Sequence, residues 1–599
     1  MIIGIDFDNT IINYDQLIYS LALQKSFIPP ATNQNKKDIR DTIRKLPNGD
    51  LKWQEIQAQA YGDFISHAIL NPGIQEFFQL CHQQNIPYYI ISHKTKYSNL
   101  YKTGTDLQKA ALNWMAEQKL FNTQTGLTTQ QIYFEPTQEQ KIARIKILNC
   151  THFIDDLEET FQFPTFPKET KKILYNPHFN KNPQNKNNNT ENTPKHNNTK
   201  SMPNPLNNLH IASSFQEISE IITAGIEQEK EERKKEDHIK KSAQELLNKT
   251  EIPQETITLN RIEGGKNNQV YLLTTKNRNT KPQKYLLKVY YSHPNDQRNR
   301  LETEFTSLSY LWEQGIRTIP KPIIKSSPVT TNQPKIALYT FIEGTKITPE
   351  EITESDIDAA ASFLKQINKT RQSSPTPFTN ASDACFTTQD YINIIHRRLQ
   401  HLNQTPNHTA IQHKLHHFLT NKFLPQLEKT LTKTKSLLTE QQLTLNTPCP
   451  EKILSPCDFG FHNALRTLNL HTGNSQTKQE PMIFLDFEYF GIDDPLKTIS
   501  DFLLHPAMQL NETNKKIFST NILSHLNNPK TNQRLQIIYP LVGLIWCLII
   551  LNEFVPEHQS RRNFANHPAE EKTKEIQLEK AQQMLNHIQE CNPQIYTNT

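Results

Sequence analysis

Residues 176–209 read NPHFNKNPQNKNNNTENTPKHNNTKSMPNPLNNL, almost wholly Asn, Lys, Pro and Thr. Such a stretch buries too little apolar surface to offset the entropy of ordering it, so it is expected to be a disordered loop. Shortly after comes EQEKEERKKED (227–237), which has no apolar residue and suits a solvent-bridging helix or linker. No single core can run through both, and 599 residues are too many for one core in any case. The expected organisation is a first domain over 1–225 with 176–209 as an insertion, a charged helical linker over 226–244, and a second domain over 245–599. No internal repeat is visible.

Composition narrows the partners. Net charge is +5, and acidic and basic residues alternate along the chain, so no nucleic-acid stripe is implied. The seven cysteines form no CxxC pair, which argues against a zinc site or disulfide framework and for a reducing compartment. The start, MIIGIDFDNT, is acidic almost at once and has no basic region typical of a signal peptide. LQIIYPLVGLIWCLIIL (535–551) is at the short end for a membrane span and contains Gln536, Pro540 and Gly543, so it is expected to be a buried helix. These features predict a soluble, cytoplasmic protein with no membrane, nucleic-acid or obligate protein partner.

In the first domain, short apolar runs end in polar residues: IIGIDFD, IPYYIIS (86–92) and THFIDD (151–156). Helical patterns such as QEQKIARIKILN (138–149) lie between them, which predicts a parallel sheet wound with helices. Ser214 and Glu217 suit a capping box for a helix through EISEIITAG. Strands of a parallel sheet present ligand-binding residues at their C-terminal ends. Asp6 and Asp8 share a side of the first strand, because strand side chains alternate with period two. Two such carboxylates repel unless a divalent cation lies between them or one is protonated. One could attack phosphorus while the other moves protons. Ser92 ends another strand and can bond a phosphate oxygen. Asp155 and Asp156 end a third, as hard ligands for Mg²⁺. Lys141, or Lys146 on the same helix, could neutralise phosphate charge.

This set resembles the haloacid dehalogenase superfamily, whose DxDxT motif reads here as Asp6-Phe7-Asp8-Asn9-Thr10. The resemblance covers residues 1–225 and includes four short motifs in order. It implies a Rossmann-like α/β fold with a small helical cap formed by residues 14–80. It implies Asp6 as nucleophile and Asp8 as general acid and base, with Thr10, Ser92 and Lys141 binding phosphate. It also implies Mg²⁺ held by Asp6, the main-chain carbonyl of Asp8 and Asp155, with Asp156 in support.

In the second domain, IEGGKNNQVYLL is a strand–turn–strand with Gly264 and Gly265 at the turn, where glycines let amides close over phosphates. Lys288 lies within the apolar strand KYLLKVYY and needs a partner, for which Glu304 in the next helix is a candidate. RNRLETEFTSLSYLWEQG (298–315) reads as a helix stopped by Gly315, and most of 350–599 is helical in pattern. LSPCDFGFHNALR supplies Asp458 and Asn463, and MIFLDFEYFGIDDP supplies Asp486. A carboxylate that orients a hydroxyl, an Asn and an Asp that hold Mg²⁺, and a Lys–Glu pair on ATP are the parts kinase chemistry uses. Asp494 and Asp501 are expected to stabilise the helical lobe.

This half is similar to the aminoglycoside phosphotransferase and choline kinase group over residues 245–599, whose pattern is HxDxxxxN followed by a strand ending in IDxE or DFE. The resemblance implies an α+β protein-kinase-like fold with a mixed small lobe and a helical large lobe. It implies Asp458 as catalytic base, Asn463 and Asp486 as Mg²⁺ ligands, and Gly264, Gly265, Lys288 and Glu304 at ATP, with YTFIEG (339–344) as the hinge beside adenine. Pro456 stands where the group has His, and Cys457 where Gly is common.

The sequence therefore predicts a bifunctional phosphate-transfer enzyme acting on small-molecule phosphates and hydroxyls, with Mg²⁺ and ATP as cofactors. Its halves would be an Mg²⁺-dependent phosphomonoester hydrolase and an ATP-dependent kinase for sugar-like hydroxyls. The alternative is a phosphatase regulated by an ATP-binding, catalytically inactive kinase-like domain. A nucleic-acid end-processing kinase is disfavoured, because the chain has no P-loop.

Overall fold

The structure is a computed structural model. It describes residues 1–98, 104–179, 209–262, 267–277, 280–293, 296, 298–327, 333–373, 378–467, 481–526, 530–565 and 571–590. Gly264, Gly265 and residues 180–208 of the Asn-rich tract lie outside the described residues. The chain divides into two compact units, Met1–Lys235 and Glu236–Thr599.

The first unit is built on a six-stranded sheet in the order Ile132–Glu135, Tyr88–His93, Ile3–Ile5, His152–Asp155, Lys171–Tyr175, Leu209–Ala212. Every neighbouring pair is parallel. The first strand is therefore central and strand order reverses around it, so its C-terminal end opens onto the crevice where such sheets bind ligands. Ile3 and Ile5 are fully buried. Gly4 between them is required by close packing, since a Cβ there would lie 2.5 Å from the Phe153 ring. Helices Ile74–Gln83, Leu107–Glu117 and Gln138–Ile147 make the crossovers that parallel strands need.

Between the first and second strands of the sheet the chain inserts three helices, Asp15–Gln24, Lys36–Arg44 and Gly49–Tyr61. They pack together through Ile18, Ile39, Ile43, Trp53 and Ile56. A short antiparallel pair, Ile12–Asn13 with Ile69–Leu70, ties the two ends of this insertion. Beyond the last strand, a helix runs unbroken from Phe215 to Leu247. At its start Ser214 Oγ accepts from the Glu217 amide at 3.2 Å, while the Glu217 carboxylate takes the amide of Ser213 at 2.8 Å. The charged run is an exposed part of this helix, with no break at 225 or 244.

The second unit opens with a five-stranded antiparallel sheet, in the order Pro322–Lys325, Ile336–Thr340, Thr280–Val289, Gln269–Asn277, Thr256–Ile262. Lys288 pairs with Val270 on one side and Ala337 on the other, in the middle of this sheet. Helix Arg300–Glu313 packs on it and ends at Gly315, whose φ of +86° is the left-handed turn that glycine adopts without a Cβ penalty. The rest is a helical body crossed by short strand pairs, Ile453–Ser455 with Gly491–Asp493 and Ala464–Arg466 with Met482–Phe484.

The apolar stretch predicted as a buried helix, 535–551, lies in helix Lys530–Ile550 except for Leu551, which opens the 3₁₀ turn Leu551–Phe554. One span among the described residues, Thr531–Phe554, is long and apolar enough to cross a membrane, and 78% of its most apolar window is buried within the protein. It packs against helices Thr388–Asn403, Pro495–Leu504 and Glu571–Glu590. Asp494 and Asp501 anchor this body: Asp494 caps the Pro495 helix and pairs with Arg534 at 2.6 Å, and Asp501 accepts from Trp546 at 3.0 Å. The six described cysteines are all free thiols.

Candidate functional site

At the C-terminal end of the central strand of the first unit, three carboxylates converge. One oxygen each from Asp6, Asp155 and Asp156 lies within 4.8 Å of the others. Lys141 is buried and bridges two of them, with Nζ at 2.7 Å from both Asp6 and Asp155. Lys146, on the same helix, is exposed. Burial pushes the Asp6 carboxyl up to about 6; the Lys141 ammonium opposes this, and Asp155 and Asp8 add to it. Burial also raises Asp156 well above its ordinary range, against the pull of Lys36. Excess negative charge at hard oxygen ligands is what a divalent cation relieves, so the donor set fits Mg²⁺.

Asp8 is held apart from that trio. Its carboxylate accepts from Lys94 Nζ at 2.9 Å on both oxygens and from the Tyr14 hydroxyl at 2.9 Å. Of the Asp8 groups, only the main-chain carbonyl remains a candidate metal ligand. Asn9 adopts φ +61°, and the Thr10 hydroxyl is buried with no hydrogen-bond partner among the described residues. An unsatisfied buried hydroxyl beside Asp6 and Asp8 is costly unless a ligand completes it, and a phosphoryl oxygen would. Ser92 is buried near the end of its strand, opposite Phe134.

In the second unit, Lys288 again bridges two carboxylates, Glu304 at 2.6 Å and Asp486 at 2.7 Å. Glu304 has further donors, the Tyr290 hydroxyl at 2.7 Å and the Phe487 amide at 3.3 Å. Tyr290 meets the Tyr339 hydroxyl at 2.7 Å. Burial pushes Asp486 up to about 7, against Lys288 and with Glu488 and Glu304 adding. Asn463 Nδ2 donates to the Asp458 carbonyl at 2.9 Å, and the Leu485 amide donates to the Asn463 carbonyl at 2.8 Å. These bonds draw Asp458, Asn463 and Asp486 to one place. The Asn463 amide nitrogen is thus engaged, which leaves its side-chain oxygen as the atom for a cation. Cys457 and Asp486 both hold positive φ, +66° and +65°. Backbone in this region is strained for residues other than glycine and concentrates at working sites.

Asp458 Oδ1 accepts from His462 Nε2 and His505 Nε2, each at 3.2 Å. The imidazoles stack with centroids 3.8 Å apart. Burial alone would raise the Asp458 carboxyl, but the two histidine hydrogen bonds win and hold it far below the usual range.

Residues 258–504 match the model of the phosphotransferase enzyme family, APH. They form a phosphotransferase-family domain. Similar solved structures include the ethanolamine kinase of Plasmodium vivax, 16% identical, covering 57% of this chain and 85% of that one with a TM-score of 0.37. The choline kinase of Cryptosporidium parvum is 16% identical, with 56% and 92% covered and a TM-score of 0.32. A spectinomycin phosphotransferase is 13% identical, with 54% and 93% covered and a TM-score of 0.34. No curated protein matches the chain.

The phosphotransferase domain places all five of its predicted, described site residues in one neighbourhood: Lys288, Glu304, Asp458, Asn463 and Asp486. Sequence reasoning missed His462 and His505. His462 lies inside the Asp458–Asn463 segment and was open to inspection, whereas His505 comes from a helix end 47 positions beyond Asp458. In the first unit it missed Lys94, Tyr14 and Lys36. The signal for Lys94 was present: it lies two residues after Ser92, hence on the same side if the strand continues. Lys36 reaches from the inserted helices, where its hydrogen bond to Tyr61 and the negative charges of Asp156 and Asp8 outweigh burial and raise its pKa.

Proposed function

We propose that the chain carries two phosphate-transfer sites, an ATP-dependent kinase for small-molecule hydroxyls and an Mg²⁺-dependent phosphomonoester hydrolase. The observation that carries the kinase reading is the Lys288 bridge between Glu304 and Asp486, beside Asp458 and Asn463, within a phosphotransferase-family domain. Lys288 fixed by Glu304 is positioned to neutralise ATP phosphates. Asp458, kept ionised by His462 and His505, would orient the acceptor hydroxyl and receive its proton. Asn463 and Asp486 would hold Mg²⁺, which supplies charge neutralisation at the transferring phosphoryl group. The test is acceptor-dependent ADP release by the full chain, lost in Asp458→Asn.

The hydrolase reading takes residues 1–225 as a haloacid-dehalogenase-like domain, with 14–80 as its cap. It is supported by the Asp6–Asp155–Asp156 convergence and the unsatisfied Thr10 hydroxyl. Asp6 would attack phosphorus, and Asp8, held by Lys94 and Tyr14, would protonate the leaving alcohol and then take a proton from water. Asp6, Asp155, Asp156 and the Asp8 carbonyl would hold the cation. Hydrolysis of a phosphomonoester panel with Mg²⁺, lost in Asp6→Asn, tests this half.

A second reading of the phosphotransferase domain is an ATP-binding regulator without turnover. Pro456 in place of the expected His and the engagement of Asp458 by two imidazoles favour it. ATP-dependent thermal stabilisation without ADP release under any acceptor is its signature.

A further inference from the structure

Three arginines of the second unit crowd together beside the Asp486 segment. Arg561, on helix Pro556–Phe564, is 8% exposed. Among the described residues no carboxylate lies within 4.0 Å of its guanidinium. Its Nη2 meets His558 Nδ1 at 3.1 Å, and its Nε has no hydrogen-bond partner among the described residues. Arg300 is 2% exposed, and its Nε and Nη1 also lack hydrogen-bond partners among the described residues. Its remaining nitrogen, Nη2, sits on Asp296 at 2.6 Å, the same carboxylate that takes Arg298 Nε at 2.8 Å. Arg298 lies at the exposed rim, with its guanidinium 5.8 Å from the centre of the Tyr489 ring.

Among the described residues the nearby acids do not balance this charge. Asp296 serves two arginines. Glu488 is 3.8 Å from Arg300 Nε and is already bonded by the side-chain amides of Asn267 at 3.2 Å and Asn268 at 2.5 Å. His558 cannot help: burial and the charges of Arg561, Arg398 and Arg298 push it down to about 3, so it is neutral. Burial and the like charges of Arg300 and Arg298 likewise lower the Arg561 pKa, opposed by Tyr489 and Asp296. A buried cation without a counter-charge costs several kcal/mol, so a fold that keeps one has an anion to offer it. Guanidinium forks with unused N–H groups match the oxygens of a phosphoryl group.

We propose that Arg298, Arg300 and Arg561 form a phosphoryl-binding site distinct from the Lys288–Glu304–Asp486 set. Its position gives it a way to act on that set. Glu488 is two residues beyond Asp486, and its amide partners Asn267 and Asn268 directly follow the loop bearing Gly264 and Gly265. An anion there would brace the segment presenting Asp486 against Asn267 and Asn268. The site stands whether or not the domain turns over ATP.

The test is thermal unfolding of the full chain in inorganic phosphate against chloride at equal ionic strength, for wild type, Arg561→Gln, Arg298→Gln and Lys288→Ala. Phosphate raises the midpoint of wild type and of Lys288→Ala, and the increment falls at least by half in the two arginine variants. Arg298→Gln, at the rim, keeps the test alive if Arg561→Gln does not fold. Equal increments in wild type and the arginine variants, no increment at all, or an increment lost in Lys288→Ala would overturn the proposal. Ribose 5-phosphate and ribose, run beside phosphate, separate the sources. Stabilisation by ribose 5-phosphate beyond that of phosphate, lost in Arg298→Gln, assigns the group to a phosphorylated metabolite, and equal stabilisation assigns it to the free ion.

Discussion

Both units place a buried lysine between two carboxylates, at nearly the same distances, yet the two bridges are supported differently. Lys141 is the principal cation for Asp6 and Asp155, with Asp156 against them. Lys288 shares its work: Glu304 keeps the Tyr290 hydroxyl and the Phe487 amide whether or not the lysine is there. The first arrangement stores repulsion that a cation is suited to relieve. The second fixes one carboxylate and leaves Asp486, the half-buried one, to respond to ligands. The lesson is that similar ion-pair geometry does not imply similar dependence on the ion pair.

The largest expected effect is catalytic. Asp458→Asn should lower acceptor-dependent ATP turnover by about 10²–10⁴-fold, the usual contribution of a positioned proton acceptor, read as initial ADP release. Next is Lys141→Ala, which leaves three carboxylates facing one another. It should destabilise the first unit by about 3–5 kcal/mol, as removal of one partner of a buried ion pair does. Lys288→Ala should cost the second unit less, because Glu304 retains two donors. Urea unfolding of both variants sets the contrast, and equal losses would break it.

Asp6→Asn probes the stored repulsion through pH. The Asp6 carboxyl is raised to about 6 from 3.8, so the folded state holds its proton more tightly than the unfolded chain. Stability is therefore lost as pH rises from about 4 to about 6, and the loss is constant above that. In metal-free buffer the variant should be more stable than wild type at pH 7.5, by up to about 3 kcal/mol, and the gain should vanish near pH 4. The smallest effect is that of His505→Gln, which removes one of two hydrogen bonds to the charged Asp458. A roughly tenfold fall in turnover is expected from about 1.5 kcal/mol, with a shift in the pH profile that a purely structural histidine would not produce.

What could be read in advance was what strand ends and short segments encode. Asp6, Asp8, Asp155 and Asp156 stand where apolar runs stop, and Asp458 and Asn463 lie within one turn. Lys94 was legible from its place two residues after Ser92, and Tyr14 lies only six positions beyond Asp8. Lys36 could not be assigned, because it reaches the carboxylates from the inserted helices. His505 follows a helix buried along its whole length, and Arg561 lies in a largely polar helix, PEHQSRRNF. Their meaning is tertiary: a stacked imidazole in one case, an unbalanced buried charge in the other. The apolar segment 535–551 was legible because Gln536, Pro540 and Gly543 interrupt it, and the structure packs it among three helices.

The most direct test of the central claim, the kinase reading, is ADP release by the full chain with Mg²⁺–ATP across sugars, amino sugars and amino alcohols. It is run in the Asp6→Asn background, so that products are not hydrolysed, and repeated with Asp458→Asn added. Acceptor-dependent ADP release in the first protein, abolished in the second, is the predicted result. Acceptor-dependent release that survives Asp458→Asn, or no release from any acceptor despite stabilisation by Mg²⁺–ATP, would contradict it.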